Sequence, residues 1–248
     1  MKRHLCLLVI LLIGLFTVGS AAAQDSTLIV ATSLDDVITF DPARSYETTN
    51  LTIQHATYDT LLEIHADDLN TIVPGVADSY EVSDDGLTYT FKLHPDVKFA
   101  SGNPLTAEDV RFSWTRLKNI KGNPSFYADQ IASVEAVDDL TLKVTLTQKY
   151  PAFATIVTAP ALSILDSKLV KENGGTDAAD ADTTDTANDW LTQNSAGSGP
   201  FILTGWTPLG AITMVRNDNY WKTPAALSAV TLRHTEDATS ALQLLERG

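Results

Sequence analysis

From Leu87 to Leu93 apolar side chains alternate strictly with polar ones: Leu87, Tyr89, Phe91 and Leu93 against Thr88, Thr90 and Lys92. Successive side chains of a strand point to opposite faces, so this stretch predicts a half-buried strand. The turn residues Asp84-Asp85-Gly86 lead into it. A second such strand is predicted through Leu140, Leu142, Val144 and Leu146, entered by Asp138-Asp139. Between the two, Val110, Trp114 and Leu117 share one helical face, with Thr106 at the N-cap and Asp109 at capping-box spacing. The block from about Val73 to Gln148 therefore predicts a compact α+β subdomain.

Elsewhere the pattern is less regular. Leu28-Ile29-Val30-Ala31 predicts a buried strand, and Asp41-Pro42 closes the loop after it. Leu51, Tyr58, Leu61 and Leu62 recur at helical spacing and predict a helix from about Thr48 to Ile64. His55 falls on that face and reads as a core or boundary residue rather than a ligand. Asn173 to Asn188 is rich in Gly, Asp, Ala and Thr, which predicts a long, exposed, protease-sensitive loop. Its acids Asp177, Asp180, Asp182 and Asp185 lack the D-x-D-x-D-G spacing of a calcium loop and read as solvated. Strands resume at Phe201–Leu203, Ile212–Val215 and Val230–Leu232, and a last helix is predicted from Asp237 to Glu246. Trp206, Tyr220 and Trp221 read as core aromatics.

The first residues change the picture. Lys2 and Arg3 precede an apolar run of 12 residues, Leu5 to Phe16, followed by Ala21-Ala22-Ala23. This is the order of a secretory signal peptide, over 1–23, and the run is too short for the roughly 20 residues that span a bilayer. Cleavage after Ala23 would remove the single cysteine, Cys6, and leave Gln24 first, with no lipoprotein cysteine at the cut. A periplasmic or secreted protein is expected, without stable membrane insertion. Loss of Lys2 and Arg3, with no acid in the segment, takes the formal charge from −14 to −16. Such a surface repels nucleic acid, so nucleic-acid binding is excluded. The chain contains no Gly-rich phosphate loop, metal-spaced His pair, G-x-S-x-G elbow or C-x-x-C pair. No catalytic residue, metal or cofactor is assigned.

Four stretches, in order, resemble the peptide/nickel class of ABC-transporter solute-binding proteins, extracellular family 5. They are Phe40-Asp41-Pro42 with Tyr58-Asp59-Thr60-Leu61-Leu62; Pro74-Gly75-Val76-Ala77-Asp78-Ser79-Tyr80; Asp85-Gly86 through Val97-Lys98-Phe99 to Thr106-Ala107-Glu108-Asp109-Val110; and Gly197-Ser198-Gly199-Pro200-Phe201 with Trp206 and Arg216-Asn217-Asp218-Asn219-Tyr220-Trp221. The third is the most specific. It departs at His94, where the family usually has Arg, and at Ser101, where it usually has Asp.

The resemblance implies a mixed α/β fold: a class II periplasmic-binding-protein lobe with a small inserted α+β subdomain. It divides the chain into a first lobe segment over 24–72, the insertion over 73–160 and a second lobe segment over 161–248. Family members are about twice this length, so a fragment lacking the second lobe is expected. By position, Tyr46 and Thr48 in the loop after Asp41-Pro42 would touch ligand, with Glu47 and Asn50 beside them. Phe126, with its neighbour Tyr127, would face the cleft from the subdomain. The implied function is binding of dipeptides or oligopeptides and delivery to an ABC permease and its ATPase, with a monomer expected at full length. The same family also takes nickel chelates, haem, oligosaccharides and opines. An exported hydrolase and a sensor or chaperone are the readings from other classes.

Overall fold

The computed structural model describes residues 26–247. The expected signal segment, with Cys6 and the cut before Gln24, lies outside them. The strands are β1 (Thr27–Thr32), β2 (Leu62–His65), β3 (Asp68–Pro74), β4 (Ala77–Val82), β5 (Thr88–Leu93), β6 (Ile131–Asp138), β7 (Thr141–Leu146), β8 (Phe201–Thr207), β9 (Ala211–Arg216) and β10 (Ala229–His234). The helices are α1 (Thr48–Thr57), α2 (Ala107–Ile120), α3 (Phe153–Ile156), α4 (Ser167–Glu172), α5 (Ala181–Thr184), α6 (Asn188–Leu191) and α7 (Ala238–Arg247).

The alternating segments form the strands their pattern predicts. β5 and β7 pair antiparallel, with Phe91 opposite Leu142 and Tyr89 opposite Val144. They are the middle of a four-stranded sheet ordered β4-β5-β7-β6. Their buried face packs with Val110, Trp114 and Leu117 of α2 in the largest core cluster. At the start of α2 the Asp109 carboxylate accepts the Thr106 backbone N–H, as in a capping box, and also the Thr106 hydroxyl, each at 2.8 Å. A second sheet, ordered β1-β10-β9-β8, has β1 parallel to β10 and the other pairs antiparallel. The β2-β3 hairpin stands between the two sheets in chain order.

Three expectations need correcting. β1 forms where predicted but is not buried: Leu28, Ile29 and Val30 are 44%, 58% and 38% exposed. Among the described residues it lies at a sheet edge, paired with β10 alone, and an apolar run does not say how many layers will cover it. α1 starts as predicted but ends at Thr57, with Tyr58 already extended, so Leu61 and Leu62 lie beyond it. Its buried residues are Asn50, Ile53, Gln54 and Thr57, while Leu51 faces solvent. What stops the helix is a crossing chain. The Gly199 N–H takes the Thr57 carbonyl at 3.1 Å, and a Cβ on Gly199 would sit 2.6 Å from the Thr57 carbonyl carbon. That close approach is the physical need for glycine in Gly197-Ser198-Gly199-Pro200.

The third correction concerns 173–188, which is folded down rather than loose. Ala181, Asp185 and Ala187 are buried, the Thr186 N–H bonds the Gly174 carbonyl at 3.0 Å, and Asp177 pairs with Arg111 at 2.8 Å. Its acids act separately, Asp182 pairing with Lys121 and Asp185 with Arg116.

Candidate ligand-binding face

Arg116 reaches from α2 into the interior and holds two segments at once. Its Nη1 and Nη2 donate to the Asp41 carboxylate at 2.7 and 2.6 Å, and its Nε and Nη2 to Asp185 at 2.8 and 2.9 Å. All three side chains are fully buried. Burial opposes the charge on Arg116, but the two carboxylates more than reverse this and raise its pKa. Burial likewise opposes ionisation of Asp185, and the Arg116 guanidinium outweighs it, holding the carboxyl below its ordinary 3.8. Arg44, 3.4 Å from each acid, makes the group two cations against two anions.

This cluster fixes the loop that follows β1. The Asp41 carbonyl accepts the Arg44 and Ser45 N–H groups, both at 2.9 Å. Asn50, buried in α1, donates to the Thr39 carbonyl at 2.8 Å and to Glu47 at 2.9 Å. The same Glu47 oxygen accepts the Tyr46 N–H at 3.0 Å and the Ser45 hydroxyl at 3.3 Å. Tyr46 is thereby presented outward, 50% exposed, and Thr48 is exposed at the first position of α1.

A second segment arrives from α2. The helix ends at Lys121 in the left-handed region, φ 55°, and Gly122 then passes so close to Ala43 that a Cβ would meet its carbonyl at 2.6 Å. The next turn, Asn123–Ala128, carries Phe126 and Tyr127. Phe126, 47% exposed, meets Tyr46 edge-on at 5.6 Å and stacks on Tyr127 at 4.3 Å. Partial burial, and then the neighbouring Tyr46, raise the Tyr127 pKa.

Of the six residues expected to meet ligand, Tyr46 and Phe126 form one exposed aromatic face, with Tyr127 half-buried behind Phe126 against the core. Thr48 is exposed beside Glu47 in the chain, and Glu47 and Asn50 are engaged in holding the loop. The loop leaves the C-terminal end of β1, next to its parallel neighbour β10. His234 at the end of β10 takes the Leu34 N–H at 3.1 Å and ties the loop down.

Sequence reasoning missed two polar hubs. Arg116 and Asp185 lie 69 positions apart with nothing local to announce the pair. Asp59, almost fully buried, accepts the Ser198 hydroxyl at 2.8 Å, the Tyr220 hydroxyl at 3.2 Å and the Trp221 indole N–H at 2.9 Å. The signal available for Asp59 was its place in one recurring motif while its partners lie in another. Trp221 packs on the large core and Trp206 packs edge-on against Phe40 at 5.5 Å. Among the described residues no group of three or more His, Cys, Asp or Glu could hold a metal ion, and no helix is long and apolar enough to cross a membrane.

A family model described as bacterial extracellular solute-binding proteins, family 5, middle region, matches residues 71–248. The chain is similar to a probable D,D-dipeptide-binding periplasmic protein, DdpA, of Escherichia coli strain K12, at 31% identity over 255 residues. That match takes in 100% of this chain and 48% of the relative. It also resembles the solved structure of the Agrobacterium binding protein MoaA with mannopinic acid, at TM-score 0.80 and 27% identity, over 91% of this chain and 44% of that one. DppA of Helicobacter pylori, in complex with the peptide STSA, matches at TM-score 0.73 and 25% identity, over 90% and 45%. The chain thus spans about half the length of the proteins it matches.

Proposed function

We propose, because this chain belongs to the bacterial extracellular solute-binding proteins of family 5, that its protein captures small peptides outside the cytoplasm and hands them to an ABC permease and its ATPase. The observation that carries the reading is the aromatic face of exposed Tyr46 and Phe126 backed by half-buried Tyr127, assembled from two distant segments. Tyr46, Phe126 and Tyr127 pack against the ligand, and Thr48 offers it a hydroxyl. Glu47 and Asn50 serve mainly by holding the loop that presents Tyr46. The relatives' remaining half supplies the opposing wall, and closure of two walls on a solute is the hinge motion of such binders.

Relatives named for dipeptides, and a similar structure holding a tetrapeptide, support peptides as the solute. The similarity to a structure with mannopinic acid supports an opine as the second reading. Export with cleavage before Gln24 belongs to the same proposal. N-terminal sequencing of exported protein should begin at Gln24, and a retained Met1 would contradict it.

A ligand resting on one open face keeps much of its surface in water, so weak binding by the 248-residue chain is expected. NMR titration with a mixed di- and tripeptide pool should shift Thr48 and the amides around Phe126. Tyr46→Ala should reduce those shifts several-fold without moving the unfolding midpoint. A response to mannopinic acid and none to peptides would replace the first reading by the second.

A further inference from the structure

Tyr46 and Phe126 come from segments far apart in the chain, and their rings meet only if those segments are set against each other at a fixed distance. A closed circuit of contacts sets it. Arg116 of α2 donates through Nη1 to Asp41 Oδ1 at 2.7 Å, and the same oxygen accepts the Ala43 N–H at 3.0 Å. Gly122, just past the end of α2, lies against Ala43 in turn. A Cβ added to it would sit 2.6 Å from the Ala43 carbonyl oxygen and 3.3 Å from the Arg44 Cα. The circuit thus runs from α2 through Asp41 and Ala43 and back to the residue that follows the α2 cap.

Both arms that leave the circuit are stiff. On one side the Arg44 and Ser45 N–H groups bond the Asp41 carbonyl, both at 2.9 Å, and the chain continues to Tyr46. On the other the Ser125 N–H bonds the Gly122 carbonyl at 3.0 Å, and buried Pro124, with its fixed φ, leads to Phe126. Close-packed segments of this kind pass a displacement on instead of absorbing it. A shift at Gly122 therefore reaches the rings.

We propose that Gly122 is a positioning residue for ligand binding. Its missing side chain lets the Phe126 turn close on the Ala43–Arg44 backbone, and that closeness sets the edge-on contact of Tyr46 and Phe126 at 5.6 Å. The need is for space, not for a special backbone conformation: Gly122 has φ −71°, which any residue adopts. In Gly122→Ala the methyl group would press on backbone, which has no flexible end to give way. The two segments would have to part by roughly 1 Å to restore ordinary contact. The role rests on the reading of Tyr46 and Phe126 as the ligand face.

NMR on Gly122→Ala tests this, first without ligand and then in titration with the di- and tripeptide pool. The nuclear Overhauser contact between the Tyr46 and Phe126 rings should weaken about threefold and peptide affinity should fall about tenfold. The Trp114 indole N–H, which bonds the Leu162 carbonyl in the core at 3.0 Å, should keep its signal. A merely structural glycine would lower the unfolding midpoint and leave the ring contact of the folded chain as it was. That result, or a weakened ring contact with unchanged affinity, would overturn the proposal. If Gly122→Ala does not fold, Arg116→Lys decides: it keeps the charge but loses the fork that engages both Asp41 oxygens, and an unaltered ring contact there would break the circuit. Failure of the unaltered chain to respond to peptides would count against the ligand-face reading, whereas the ring contact in the ligand-free chain decides the role of Gly122 by itself.

Discussion

Taking away one side of a buried ion pair strands a charge out of water, which costs about 3–5 kcal/mol. Arg116 and Asp185 are in that position, so Arg116→Met or Asp185→Asn should lower the stability read from denaturant unfolding by that amount. The exposed pair Lys143–Glu135, at 3.2 Å, should contribute only about 0–1 kcal/mol. Asp185 also sets a direction in pH. Its carboxyl is held below its ordinary 3.8 in the folded chain. The stability it contributes is therefore complete above the unfolded value and is lost as pH falls through the folded one. The thermal midpoint should drop steeply below about pH 4, and Asp185→Asn should flatten that drop. None of this was legible locally, since Asp185 sits among Gly, Asp, Ala and Thr that read as solvent-facing.

At the scale of elements, periodicity carried most of the information. The alternation from Leu87 to Leu93 and from Leu140 to Leu146 named the strands, the buried face and, through Thr106 and Asp109, the start of α2. Leu142 is fully buried against this core, so Leu142→Ala should cost about 2–5 kcal/mol through the cavity it leaves, measured as a shift in the urea midpoint. Periodicity failed where the chain is held by polar side chains. The 173–188 segment should survive limited digestion by a nonspecific protease while exposed turns are cut. In Asp185→Asn it should become an early cleavage site. Early cutting in the unaltered chain would contradict the packing of Asp185 and Ala187. α1 shows the other failure: its length is set by Gly199 crossing its end, 142 positions from Thr57, and no local pattern records a crossing.

At the scale of the molecule, one apolar surface stands out. Ile29 and Val30 of β1 and Leu242 and Leu245 of α7 line an open groove of about 650 Å³. An exposed apolar patch of this kind favours association, and the formal charge of −14 opposes it. Salt shortens the reach of that repulsion. Raising ionic strength should therefore increase self-association in sedimentation experiments and sustain binding of a hydrophobic dye. Ile29→Lys should suppress both, and an association indifferent to that substitution would place the sticky surface elsewhere.

The sequence by itself determined what depends on neighbours in the chain: the strands β5 and β7, the capped α2, the strand segments of β8, β9 and β10, and the motifs that mark the family. It also named Tyr46, Phe126 and Tyr127 as candidates, through resemblance rather than local pattern. Only the tertiary structure decided that these three aromatics meet, that Arg116 joins Asp41 to Asp185, and that Asp59 gathers Ser198, Tyr220 and Trp221. It alone decided that β1 lies open. The reason is physical: backbone periodicity acts over a few residues, whereas burial and ion pairing depend on which distant segments arrive at the same place.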